Sequence, residues 1–233
     1  MTPASLRAAR QRGDWAVSYL QARFPPLEFP PDVAQRILTH SSWRAGAQTY
    51  GHNTRLGFIG RRVMQSYLML FLQSRLKTRG AEPKQVTDVI DFEELAEKIL
   101  DTHVLGTIVG EPWQLEDIMR WTDAKNPNDS TGSLSVGMRK VRGATVEAII
   151  GGIFHQFGGV AAKIAFHTRV LPFLVPVMPE SLTPSVEEAC IQLGGREASL
   201  RPGSVDVDTP QRTESPISTW SPPSQPSRRV VST

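Results

Sequence analysis

Two apolar stretches carry the side chains with the clearest chemical implication. The first, NTRLGFIGRRVMQSYLMLFLQSRL (53–76), contains no acidic residue, and Arg61 and Arg62 stand together just after the small residues Gly57 and Gly60. In the second, GATVEAIIGGIF (143–154), Glu147 is the only carboxylate. A hard divalent ion needs several oxygen ligands, and one carboxylate does not hold it against its own hydration. Neither stretch therefore reads as a metal site. His40, His52, His103, His155 and His167 show no metal-ligand spacing, and His40, inside THSS, reads as a hydrogen-bonding turn residue rather than a general base. The single cysteine, Cys190, lies in no nucleophile motif, excludes an internal disulfide framework and fits a reducing compartment. No cofactor is expected.

The elements that would position these residues are helical, because apolar spacing of three and four dominates and strand alternation is almost absent. A first helix is expected from Asp14, with Trp15, Tyr19 and Leu20 on one face. The run FPPLEFPPD (24–32) reads as an extended connection, since consecutive prolines do not continue a helix. Asp32 then reads as the cap of a helix carrying Val33, Ile37 and Leu38. After the loop WRAGAQTYGH (43–52) comes the long helix of 53–76, expected to be buried, and the turn TRGAEP (78–83). Further helices are expected over 92–109, with Leu95, Ile99 and Val104 inward, and over 115–122. The polar run 123–133 is a loop by composition. Val146, Ile149, Ile150, Ile153, Phe154 and Phe157 follow the pattern of a helix packed on a core. Gly158-Gly159 reads as a stop and restart before a last helix over 160–174.

The expected class is all-α. Residues 14–175 form the helical domain, 176–198 an extension with room for a short helix, and 199–233 a disordered tail. Ten of the 18 prolines fall in 172–233, and twelve of the last 35 residues are Ser or Thr, too little apolar surface to offset chain entropy. The longest uninterrupted apolar run, YLMLFL (67–72), is far below the roughly 20 residues of a membrane span, so none is expected. Net charge is +3 but uneven: 1–80 hold twelve Lys/Arg against three Asp/Glu, and 81–130 hold four against twelve. That asymmetry predicts a two-faced surface, one side for phosphate and one for a basic protein. Residues 1–13 hold three arginines and no acid, a composition compatible with a short mitochondrial targeting segment.

ILTHSSW (37–43) followed by HNTRLGFIGRRVM (52–64), and then GATVEAIIGGIF (143–154), together resemble the ribonuclease III endonuclease domain in order, spacing and helical context. In that family four carboxylates from these two helices hold divalent metal for RNA hydrolysis. The matching positions here are Gly57, Arg61, Ala144 and Glu147, and a further family glutamate is replaced by Thr54. The resemblance therefore implies a catalytically degenerate domain with no metal and no catalytic residues. Arg61, which stays charged, is expected to pair with Glu147 in the former metal site.

The family dimerises through its first-motif helix, so the resemblance places a dimer interface at Phe58 and Ile59. Residues 176–233 show no strand alternation, so an appended double-stranded-RNA-binding module is not expected. RNA contact would fall to Arg44, Arg55, Arg62, Arg75, Lys77 and Arg79, which suit phosphate without reading sequence. Silent single domains of this kind are similar to a component of the large ribosomal subunit of fungal mitochondria. That implies a matrix location and three partners: ribosomal RNA, a second ribonuclease III-like protein and other mitoribosomal proteins. The alternative is a double-stranded-RNA endoribonuclease or RNA-processing subunit working with an active partner.

Overall fold

A computed structural model describes residues 14–44, 51–77, 92–122 and 134–201. The expectations for 1–13, for the turn at 78–83, for the loop at 123–133 and for most of the loop at 43–52 fall outside these residues. So does the tail beyond Arg201.

Helix α1, Trp15–Arg23, buries Trp15, Ala16, Tyr19 and Leu20. The proline run follows, and α2 spans Pro31–Ile37. Pro31 occupies the first helical turn, where its missing N–H costs nothing. Asp32 is therefore inside the helix and does not cap it; its carboxylate lies 3.9 Å from Arg36 one turn on. The chain then touches the segment after the 115–118 helix through one parallel bridge, Thr39 to Arg120. Arg120 N–H donates to Leu38 O and His40 N–H to Arg120 O, both at 2.8 Å.

Helix α3 is Thr54–Lys77. Its start is fixed from outside: buried Asn53 donates from N to Thr39 O at 2.9 Å and from Nδ2 to Ile37 O at 3.3 Å. Contrary to the expectation of a buried helix, only one face is covered. Leu56, Met64, Leu68, Phe71 and Leu72 are buried, while Phe58 and Leu70 are exposed. The helix expected over 92–109 is broken. Helix α4, Phe92–Ile99, ends before Asp101. The extended backbone of Asp101 starts α5, Thr102–Val104, and its Oδ1 accepts from His103 N at 2.8 Å and Val104 N at 3.2 Å. That carboxylate cap outcompetes continuation of the helix. Helix α5 runs on as a π-helical turn, Leu105–Gly110. Helix α6 covers only Leu115–Ile118, because Met119 turns extended and Arg120 then makes the bridge with Thr39.

The central element is α7, Leu134–Ala165, with a break in helical geometry at Gly158 (φ 83°, ψ 179°). This is where the glycine pair was expected to interrupt it. Val146, Ile149, Ile150 and Ile153 are buried; Phe154 is partly exposed instead. Beyond Ala165 the expected helix to 174 becomes a π turn, Phe166–Val170, and a 3-10 turn, Leu171–Phe173. The run Gly137–Phe173 contains an 18-residue window of mean hydropathy 1.3, long and apolar enough to cross a membrane, although its apolar residues are interrupted by polar ones. More than half of its most apolar window is buried inside the protein, so that apolarity serves the core. Helix α8, Thr183–Gln192, buries Val186, Ala189 and Cys190. The packed structure continues through Leu200, which is fully buried, past the point where the disordered tail was expected to start.

Glycines decide how α7 meets its neighbours. A methyl group built on Gly60 or Gly151 overlaps backbone of the other helix, Glu147 O in one case and Leu56 O in the other. The same holds for Gly106 against Arg139 O and Gly143 against Thr102 O. On α7 the positions 143, 147 and 151 share one face at i, i+4, i+8, so Glu147 lies midway between the two crossings. Gly151→Ala would gain helix propensity of about 1 kcal/mol. Overpacking outweighs that gain, and the variant should lose roughly 2–3 kcal/mol in urea unfolding; an unchanged or raised midpoint would contradict the close crossing.

Candidate functional site: an arginine–glutamate pair between three helices

Glu147 projects into the seam between α3 and the start of α5. Its side chain is 8% exposed, against 48% for Arg61. Arg61 Nη2 donates to Glu147 Oε1 at 2.8 Å and Nε to the same oxygen at 3.2 Å. Thr102 Oγ1 donates to it at 3.1 Å and also accepts from Arg61 Nη2. The pair anticipated from the sequence is thus formed, with a third member the sequence did not reveal. Thr102 reaches the site because Asp101 restarts the helix there.

Burial pushes the Glu147 carboxyl above the usual carboxylate range. The Arg61 guanidinium and the Thr102 hydroxyl pull it back only in part, and Asp101 adds to the rise. Burial wins because Arg61 is half in water, where its field is screened.

Two further positions singled out by the resemblance, Gly57 and Ala144, lie near this pair. A Cβ at Gly57 would sit 3.5 Å from Ala144 O and 3.8 Å from Glu147 Oε2, so Gly57 faces the carboxylate, and neither Gly57 nor Ala144 has a side-chain oxygen to contribute. Among the described residues no three His, Cys, Asp or Glu side chains gather where they could hold a metal ion. Oε1 of Glu147 already accepts from three donor atoms, and the nearest charge is a permanent cation. The donor set does not fit the divalent ion that four carboxylates hold in the family resembled.

Beside the pair lies a cleft of about 420 Å³, with Arg61 and Arg62 on one wall and Glu93, Glu97 and Asp101 on the other. The basic and acidic segments therefore face each other here, and the two-faced division expected from the sequence does not hold at this cleft.

The cations proposed for RNA separate into groups. Arg44, Arg55 and Arg62 are exposed. Arg55 and Arg62 are two turns apart on α3 and flank Phe58, which is 65% exposed and has the Arg62 guanidinium 5.7 Å from its ring centre. Ile59 is half-buried. Arg75 is drawn inward: it pairs with Glu188 of α8 at 2.7 Å and lies over Phe71, so it leaves the set of free phosphate contacts. The Lys77 side chain and Arg79 lie outside the described residues. Sequence reasoning missed Arg139 and Lys140, both exposed on α7. Lys140 is near enough to His40 to help hold its imidazole below the usual histidine range, after burial and the nearby His52. His40 behaves as a turn residue, its Nδ1 accepting from Ser42 N at 3.2 Å. Burial raises the Cys190 thiol, which disfavours a nucleophilic thiolate.

A sequence profile of the Ribonuclease-III-like family matches residues 30–174, more than half of the chain. The protein belongs to the ribonuclease-III-like family. Its fold is similar to the nuclease domain of ribonuclease III from Campylobacter jejuni, with TM-score 0.50 and 18% identity over 70% of this chain and 96% of that one. At that identity the likeness speaks to fold alone. No curated protein matches the sequence. The matched region of this ribonuclease-III-like chain spans α2 to the 3-10 turn after α7, so it contains Arg61, Thr102 and Glu147.

Because the Glu147 carboxyl is raised in the folded state, its contribution to stability is complete below the unfolded value of about 4.3 and fades as pH rises through the raised value. Glu147→Gln, which keeps acceptor and shape, should gain stability relative to the parent between pH 4 and pH 7. Arg61→Leu should cost roughly 1–2 kcal/mol at pH 7, where it leaves a buried carboxylate alone, and little at pH 4. Urea midpoints at the two pH values measure both differences; equal effects at both would contradict the pairing.

Proposed function

We propose that this ribonuclease-III-like domain binds RNA without cleaving it and serves as a structural component of the large subunit of the mitochondrial ribosome. The observation that carries the non-catalytic reading is the Arg61–Thr102–Glu147 closure. Metal-assisted phosphodiester hydrolysis stabilises developing negative charge with bound cations and activates water on them. Here the sole carboxylate that matches the family's set is neutralised internally.

RNA is the ligand that the family and the surface charge favour. Arg44, Arg55 and Arg62 offer exposed guanidiniums for backbone phosphates, and Arg139 and Lys140 add two cations on α7. Such contacts position a domain on RNA without reading sequence. The exposed Phe58, beside half-buried Ile59, is the surface proposed for a second ribonuclease III-like protein. The ribosomal assignment rests on the resemblance of silent single domains to a mitochondrial large-subunit component, and with it go the matrix location and the ribosomal protein neighbours. The exposed Phe58 also favours a second reading, a subunit that lends RNA contacts to an active nuclease partner.

Two measurements separate these. Double-stranded RNA incubated with the protein and magnesium should be retained in gel shift and stay intact; turnover abolished by Glu147→Gln would overturn the non-catalytic reading. Tagged protein should sediment with large-subunit particles from salt-washed mitochondrial lysate, whereas co-migration with a nuclease away from ribosomes would favour the second reading.

A further inference from the structure

On elements that the Arg61–Glu147 seam does not use, α1, the Trp113–Gln114 turn, the π turn after α7 and the segment after α8 enclose a cavity of about 280 Å³. Tyr19, Arg23, Gln114, Arg169 and Glu197 line it. Arg23 is held at its wall by two contacts. Its Nη2 donates to Trp113 O at 3.3 Å, and its guanidinium lies 5.8 Å from the Trp113 ring centre. Tyr19 Oη donates to the same carbonyl at 2.8 Å, which fixes the turn. Gln114 follows in the left-handed region (φ 56°, ψ 41°), a conformation rare for a residue with a side chain and often held at ligand sites.

Arg169 is only partly satisfied. Its Nη2 reaches Ala198 O at 3.4 Å, and its Nε is buried without an acceptor. Neither arginine forms an ion pair with a carboxylate among the described residues. Burial is the main influence that disfavours the charge on Arg169; Glu197 opposes it, without a hydrogen bond or ion pair to Arg169 among the described contacts, and nearby Arg23 adds to it. Two guanidiniums against one carboxylate leave a positive charge facing a small polar cavity. Drug-sized organic ligands prefer larger, apolar-lined pockets. A guanidinium fork matches phosphate oxygens, and two forks plus an amide N–H₂ offer more donors than a carboxylate can accept.

We propose that Arg23 and Arg169, with Gln114, form a phosphate-binding site in this cavity. It is independent of the RNA function proposed above, because the phosphate can come from a free anion or nucleotide or from an RNA backbone. Glu197 is the group that tunes its strength.

The test is calorimetry on the full chain with inorganic phosphate, against chloride at equal ionic strength, then with AMP and with a short single-stranded RNA. Saturable phosphate binding is expected, weakened at least tenfold by Arg169→Gln and strengthened by Glu197→Gln. RNA that displaces phosphate, and is itself weakened by Arg169→Gln, would assign the site to a backbone; AMP that binds while RNA does not compete would assign it to a free ligand. Phosphate heats no different from chloride, or equal affinity in Arg169→Gln and the parent, would overturn the proposal. Should Arg169→Gln fail to fold, Glu197→Gln decides by itself, since unchanged affinity there removes the electrostatic basis of the site.

Discussion

Helix α7 approaches two neighbours at backbone contact, because glycine meets glycine at both crossings: Gly151 with Gly60 on α3, and Gly143 with Gly106 in the turn after α5. Close packing of this kind leaves no volume for adjustment. It fixes Glu147, midway between the crossings, in a seam too narrow to admit much water. A carboxylate in that position must find partners or remain protonated. Arg61 and Thr102 are the partners, and each arrives from one of the helices that the glycines bring close.

The chemistry follows from the packing. An ion pair of which one member is half in water contributes little net stability, since screening on the Arg61 side limits the attraction while desolvation of Glu147 still has to be offset. The pair is better understood as filling a charged seam than as holding the fold together. The fold is held by the apolar side of α7, where Val146, Ile149, Ile150 and Ile153 are fully buried, and by the buried aromatics Trp15, Phe24 and Trp113, of which the last two meet edge to face. In the function proposed above, RNA contact falls to the exposed cations of α3 and α7 rather than to Arg61.

Much of the fold was legible because periodicity survives wherever a helix has one covered face. The first helix, the long α3 and the core side of α7 follow from spacing alone. What escaped reading depended on partners distant in sequence. Leu115–Ile118 stops short because Met119 and Arg120 leave helical geometry to bridge to Thr39, and nothing local announces that. Asp101 did carry a local signal, an acidic residue able to cap a helix before Thr102, and the continuous apolar spacing of 92–109 overrode it. At the site, Arg61 and Glu147 could be paired because the family resemblance places both at positions of one site, and Glu147 is the only carboxylate of its stretch. Arg75 could not be sorted from the arginines assigned to RNA, since Glu188, its partner, lies in an extension whose packing gave no signal.

The account turns on whether a divalent ion can displace Arg61 from Glu147. Manganese titrated into the full chain at neutral pH and followed by electron paramagnetic resonance addresses this directly. The free-ion signal should persist, with no stoichiometric binding and no difference between the parent and Glu147→Gln. One equivalent of bound manganese, lost in Glu147→Gln, would contradict the closed arginine–glutamate site and restore a metal centre to this domain.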